Sequence, residues 1–185
     1  MPLSSLTLLE TQRLLLRRPE ASDQPTLERI FCDADMMRYL GGPWTADQTA
    51  KVLAEWHTDW GIEHRWTGVL VLKDSLTPIG TAGITENTVA DEEGCELSWF
   101  VLPEYQLQGY ASEITRALLH FAFETLNAPR TLAETHPDNP AARRLLEKLG
   151  FTCLGERHHA YDDLPGFDTQ VLWEIKRTEQ QGISV

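Results

Sequence analysis

The chain has 185 residues, of which 42% are hydrophobic and 24% charged, and its formal net charge is −12 at pH 7. That balance describes one globular domain with a sizeable core and excludes a disordered chain. The charge argues against a nucleic-acid partner, because neutralising phosphates takes clustered Lys and Arg, and no apolar run approaches the roughly 18 residues needed to span a bilayer.

Met1 to Leu6 lacks both the basic segment and the apolar segment of a signal peptide, so a cytoplasmic protein with no membrane partner is expected. Cys32, Cys95 and Cys153 are too scattered for a disulfide framework. The six histidines show no zinc-ligand spacing, and no metal is expected.

In chain order, Arg13–Arg18 reads as a first strand. A helix follows from about Asp23 to Ala34, with Leu27, Ile30 and Phe31 on one face. Gly41-Gly42-Pro43 breaks the chain, and Thr45 with Gln48 makes a capping box for a second helix that runs to about Trp60. Trp66–Leu72, Pro78–Thr85 and Cys95–Leu102 read as strands, with the polar stretch Asn87–Gly94 as a loop. A third helix runs from Ser112 to Leu126, with Ile114, Leu118, Phe121 and Ala122 inward, and Arg130–His136 is the next strand. Asn139 as N-cap, Pro140 at the first helical position and Gly150 past the end frame a fourth helix. Phe151–Arg157 and Thr169–Ile175 are the last strands, and residues 177–185 read as a loose tail on a single domain whose core covers about 9–176. The order is β-α-α-β-β-β-α-β-α-β-β, which one mixed sheet with helices packed on it accommodates.

One junction stands out chemically. Gln106-Leu107-Gln108-Gly109-Tyr110-Ala111 joins a strand to a helix N-terminus, where the first amides lack intrahelical acceptors and the peptide dipoles place partial positive charge. Gly109 lets the backbone approach a phosphate with no Cβ in the way. From Tyr105 to Gly150, five basic residues balance five acidic ones, so this part of an acidic chain is neutral and suits an anionic ligand.

Four segments together resemble the GNAT superfamily of acetyl-CoA-dependent N-acetyltransferases, in the branch of the ribosomal-protein Ser/Ala N-terminal acetyltransferases. They are Thr11–Arg17; Glu96–Leu102 leading into Gln106-x-x-Gly109-x-Ala111; Asp138–Ala142; and Leu146–Phe151. The resemblance covers about Leu9 to Ile175. It implies an α/β (α+β) fold with a mostly antiparallel sheet of about seven strands, splayed at the acetyl-CoA site, and helices on both faces. It implies acetyl-CoA as co-substrate, with its pyrophosphate on the amides of Leu107, Gln108, Gly109, Tyr110, Ala111 and Ser112 after Gln106. The pantetheine arm is expected on the backbone of Phe100, Val101 and Leu102, with Asn139 nearby. An amide of Val101 or Leu102 would stabilise the oxyanion. The implied reaction is direct attack by a primary amine, either a small molecule or a protein N-terminus, and a homodimer is compatible with it.

An ammonium has no lone pair, so the reaction needs a base, and Glu96 is the candidate because it sits near the start of the acetyl-CoA strand. The positions at which the family often carries a Tyr or Ser proton donor are Leu146 and Ala142 here. That departure keeps a second reading open, a non-catalytic acyl-CoA-binding protein. The acceptor site is expected from Tyr39–Trp44, the second helix and the loop around His158–Phe167, with Trp44 and Trp99 as acceptor-binding candidates. Trp60, beside Gly61, is a further cleft-wall candidate, whereas Trp56 and Trp66 read as core.

Overall fold

The computed structural model describes residues 7–62, 65–89, 92–158 and 169–177. Its elements in chain order are β1 (Thr7–Glu10), β2 (Leu14–Arg17), α1 (Gln24–Phe31), α2 (Ala34–Met37), α3 (Ala46–Asp59), β3 (Arg65–Leu72), β4 (Pro78–Val89), β5 (Glu92–Val101), α4 (Tyr110–His120), β6 (Arg130–Thr135), α5 (Pro140–Lys148), β7 (Thr152–His158) and β8 (Thr169–Lys176). The strands form one sheet in the order β1-β2-β3-β4-β5-β6-β8-β7. Every neighbouring pair is antiparallel except β5 and β6, which run parallel.

Strand alternation distributes the apolar side chains to two faces. Leu14, Leu16 and Leu70 join Ile114 and Leu118 of α4 in the larger core cluster, which also takes Leu146 and Leu149 from the α5 end. Val69 and Val71, one residue out of phase with Leu70, join Leu27, Ile30, Phe31 and Leu53 in a second cluster under α1–α3. Helices therefore cover both faces. Among the described residues no helix is long and apolar enough to cross a membrane.

The structure departs from the sequence expectation in four places. The residues before Arg13 add a short edge strand, β1, which makes eight strands rather than seven. Asn87–Gly94 is not a loop: rungs Asn87↔Gly94, Thr88↔Glu93 and Val89↔Glu92 carry the β4–β5 hairpin onward. Ladder bonds come from the backbone, so polar side chains do not stop them. The first helix ends at Phe31, and Asp33 caps a new short helix by accepting from the Met36 amide at 2.8 Å. The third helix starts two residues earlier, at Tyr110, and continues as one π-helical turn over Phe121–Thr125. There Phe121 stays partly buried and meets Trp66 edge-on, with ring centroids 5.3 Å apart.

Candidate active site

The sheet is not closed between β5 and β6. Among the described residues they pair at two positions only, Cys95↔Thr131 and Glu96↔Leu132, although β5 runs on to Val101 and β6 to Thr135. Antiparallel pairing with β4 settles which backbone groups of β5 look into the gap. The Leu102 amide donates to the Ile79 carbonyl at 2.9 Å. Bonding direction alternates along an antiparallel ladder, so Phe100, Ser98 and Glu96 also turn their amides and carbonyls to β4. A Cβ on Gly80 would stand 2.0 Å from the Phe100 carbonyl oxygen, which marks how closely β4 approaches there. Past the last rung, which the Leu97 amide helps to make with Leu132, the backbone groups of Trp99 and Val101 are the ones aimed at the gap. Of the two amides expected to serve an oxyanion, that of Leu102 is already used and that of Val101 faces the opening.

Past Val101 the chain makes the turn that leads into α4. Gln106 reaches back, its Nε2 donating to the Val101 carbonyl at 2.8 Å, and Gln108 Nε2 donates to the Glu104 carbonyl at 2.9 Å. Gly109 is the N-cap of α4 at φ 86°, a left-handed conformation that costs glycine little. Leu107 also has positive φ, 59°, and is fully exposed. For a leucine that backbone is strained, and its side chain buries nothing in return. Ser112, in the first turn of α4, has a buried Oγ with no hydrogen-bond partner. A left-handed turn, free first-turn amides and an orphaned hydroxyl fit the phosphates of a nucleotide-bearing ligand.

The turn is braced from the start of β2. Glu113 of α4 accepts from Thr11 Oγ1 (2.6 Å), from the Arg13 amide (2.8 Å) and from Arg13 Nε (2.7 Å). Burial works to raise the Glu113 carboxyl, but the hydrogen bonds from Thr11 and Arg13, with the guanidinium charge, outweigh it and hold the group below the usual carboxylate range.

On the other side of the gap, Asn139 caps α5 by accepting from the Ala142 amide at 3.2 Å. That commits its oxygen and leaves its amide nitrogen as the part that could serve a ligand. His136, just past β6, accepts at Nδ1 from the Asp138 amide (3.1 Å) and stacks on Tyr39 with centroids 5.1 Å apart. Tyr39 thus joins the α2 side of the molecule to the far lip of the opening.

The α1–α3 face of the sheet near the gap carries polar groups. Arg65, Thr85 and Glu96 are successive partners across β3, β4 and β5, so their side chains lie in one row on one face. Thr67, Gly83 and Ser98 form the next row. Above them is a cleft of about 270 Å³ lined by Glu55, Trp56, Asp59, Arg65, Thr67 and Thr85. Glu96 is the neighbour of Thr85 at the inner edge of that cleft, beside the last rung that joins β5 to β6.

The tryptophans sort differently from the expectation. Trp44 stacks on Phe31 (4.7 Å between centroids) at the edge of the second core cluster, and Trp99 packs against the larger cluster on the opposite face of the sheet. The two candidates for the acceptor site therefore do not meet. Trp56 packs on the second core cluster as expected, meeting Phe31 edge-on at 5.8 Å, and also lines the cleft, whereas Trp60 packs on the larger core with its ring over Gly68. Adjacency to a glycine did not decide exposure; position on α3 relative to the sheet did. The side chains of Phe100 and Leu102 belong to the second core cluster, Phe100 meeting Phe31 edge-on at 5.4 Å. The rest of the loop around His158–Phe167 lies outside the described residues, as does the tail after Arg177.

A cysteine nucleophile finds no support here. Cys95, next to Glu96, is fully buried, and burial, with the Glu86 charge behind it, pushes its thiol up to about 12. A thiol that weakly acidic is no nucleophile at neutral pH. No group of three or more His, Cys, Asp or Glu among the described residues could hold a metal ion.

Comparison with known proteins agrees with this geometry. A family model described as an acetyltransferase (GNAT) domain matches residues 13–152. The uncharacterised N-acetyltransferase YoaA of Bacillus subtilis is 28% identical over 183 residues, which cover 93% of this chain and 98% of that protein. A GNAT-family acetyltransferase structure from Bacillus anthracis superimposes with a TM-score of 0.78 at 22% identity, over 92% of this chain and 99% of that one. The ribosomal-protein-S5-alanine acetyltransferase of Vibrio fischeri superimposes with a TM-score of 0.72 at 18% identity, over 95% and 99%. At those identities the structures speak for the fold.

Proposed function

The chain belongs to the GNAT acetyltransferase family, and on that premise we propose that it transfers the acetyl group of acetyl-CoA directly to a primary amine, with Glu96 as the base. One observation carries the reading: parallel pairing stops after two rungs, next to Glu96 and ahead of the left-handed Gly109 turn that opens α4.

In this mechanism the amides of Leu107–Ser112 receive the coenzyme pyrophosphate, and the backbone of Trp99 and Val101 receives the pantetheine arm. Of the segment first expected, Phe100 and Leu102 serve through packing rather than through free backbone groups. Asn139 contributes its amide nitrogen from the opposite lip. The amine arrives over Thr85 and Ser98 as an ammonium, and Glu96 takes one proton from it, directly or through a water. The nitrogen attacks the thioester carbon, and the Val101 amide donates to the oxygen as it gains charge. On collapse the C–S bond breaks, the nitrogen sheds its second proton, and water carries that proton to the leaving thiolate. The products are an amide and free coenzyme A, with no acyl-enzyme.

Membership of a family with N-terminal acetyltransferases among its structural relatives supports a protein N-terminus as acceptor; the modest volume of the cleft, about 270 Å³, supports a small amine. Thiol release with a panel of N-terminal peptides and small amines tests both. A second reading, a non-catalytic acyl-CoA binder, draws on Leu146, which is fully buried in the core where many relatives place a proton donor. Tight coenzyme A binding with no turnover on any acceptor would establish it in place of the first.

A further inference from the structure

We infer that Arg13 and Glu113 form a positioning pair that holds the phosphate-receiving turn in its ligand-ready shape; the inference rests on the reading that this turn takes the coenzyme phosphates. One guanidinium reaches three parts of the turn. Its Nε pairs with Glu113 Oε2 at 2.7 Å, its Nη1 donates to the Gln108 carbonyl at 3.0 Å, and its centre lies 4.4 Å from the centroid of the Tyr110 ring. A Cβ on Gly109 would sit 3.4 Å from Nη2. The residue before Gly109, the residue after it and the first turn of α4 are therefore all referred to one side chain of the β2 end. Thr11 adds the bond from its hydroxyl to Glu113 and accepts from the Leu14 amide at 2.9 Å, which fixes the donor side of the pair to β2.

The turn needs such a brace. Leu107 and Gly109 both have positive φ, the Leu107 side chain is in solvent, and nothing buried holds the segment between them. Strained backbone persists only where its surroundings over-determine it. The pair's Coulomb attraction is not the point, since Arg13 is 42% exposed and solvent screens it. Nor does the pair offer a bare cation to a phosphate, because Glu113 cancels the Arg13 charge. What it fixes is the direction of the Gln108 carbonyl, and with it the amides on either side. Arg13 and Glu113 are positioning residues, not catalytic ones.

Coenzyme A binding by calorimetry, with steady-state kinetics, tests this in the wild type and in Arg13→Gln, Arg13→Lys and Glu113→Gln. Each substitution is expected to weaken coenzyme A about tenfold, the usual cost of loosening a supporting shell, and to raise KM for acetyl-CoA in step. The kcat at saturating acetyl-CoA and KM for the amine should stay put. Arg13→Lys should not rescue, because a lysine lacks the fork that bonds Glu113 and Gln108 together. The double substitution should cost no more than the worse single one. Thr11→Val is close in shape and removes the hydroxyl's bonds to Glu113 and from the Leu14 amide, so it reads the same effect at about three- to tenfold if the stronger substitutions fail to fold.

The charge sign separates this inference from its rival. If Arg13 were a direct phosphate ligand restrained by Glu113, Glu113→Gln would free its charge and tighten coenzyme A binding; that result would overturn the positioning role. Unchanged affinity in all four variants would overturn it too. Failure of the wild type to bind coenzyme A would instead remove the reading on which the pair rests.

Discussion

Thr85 of β4 stands directly opposite Glu96 of β5 in the antiparallel ladder, so the carboxylate shares a face and an edge with the Thr85 cleft. Glu96 also pairs in parallel with Leu132, the last rung before the sheet opens. Glu96 is thus the ladder neighbour of a cleft-lining residue and a member of the last rung before the gap, which is where the proposed base between an amine and a thioester has to be.

Glu96→Gln should lower kcat by roughly 10²- to 10³-fold at neutral pH, the usual loss for a general base. Coenzyme A affinity should not change, since the Glu96 side chain lies on the α1–α3 face of the sheet with the cleft-lining Thr85. Rates measured beside calorimetric affinities check this. A variant with full activity would remove Glu96 from the mechanism.

The cleft should govern the acceptor rather than the coenzyme. Thr85→Val keeps the shape and removes a hydroxyl from the lining, and it is expected to raise KM for the amine by about three- to tenfold, the worth of a hydrogen bond. KM for acetyl-CoA should stay unchanged. The opposite split would detach the cleft from the acceptor site.

At Gly109, φ of 86° asks any side chain to adopt a left-handed backbone. Gly109→Ala pays about 1–2 kcal/mol for that and weakens coenzyme A accordingly. Gly109→Asp adds negative charge against the pyrophosphate and should abolish detectable binding in a calorimetric titration. Retained affinity for the Asp variant would show that the phosphates lie elsewhere.

Cys95 tests the direct route. Its thiol is buried and held near 12, so it should resist a thiol reagent that labels the exposed Cys153 in the native protein. Cys95→Ser should retain kcat to within about twofold, as a packing substitution away from the reacting atoms does. An acetylated Cys95 peptide in a quenched reaction would refute direct attack.

Local signals in the sequence predicted what local forces build. Asn139, Pro140 and Gly150 framed α5 correctly because caps act within a turn of the helix, and Thr45 with Gln48 framed the start of α3 for the same reason. The glycine turn before α4 was legible too, since a strand ran into it and an amphipathic helix left it. What depended on register was not. Whether the Val101 or the Leu102 amide faces the gap follows from the Leu102–Ile79 bond, and no spacing along the chain encodes it. Trp56 and Trp60 are four residues apart on one stretch, yet Trp56 packs on the second core at the cleft and Trp60 on the core of the opposite face, because the sheet beneath sets their neighbours. The bracing of Gln108 and Glu113 by Arg13 joins residues about a hundred positions apart. Thr11–Arg17 was recognisable as a motif without disclosing that task.

The two-rung seam has a mechanical consequence. It divides the eight strands into a block of five and a block of three, joined along the sheet by two rungs where other seams carry up to ten. Beyond those rungs the margins of β5 and β6 do not pair with each other among the described residues. Anything that lies between them with amides of its own extends the bonding pattern from one block to the other. Occupancy is then expected to work as a splint: amide hydrogens of Trp99 and Val101 should exchange readily in the empty protein and slow when coenzyme A is added, while those of β3 and β4 should hardly change.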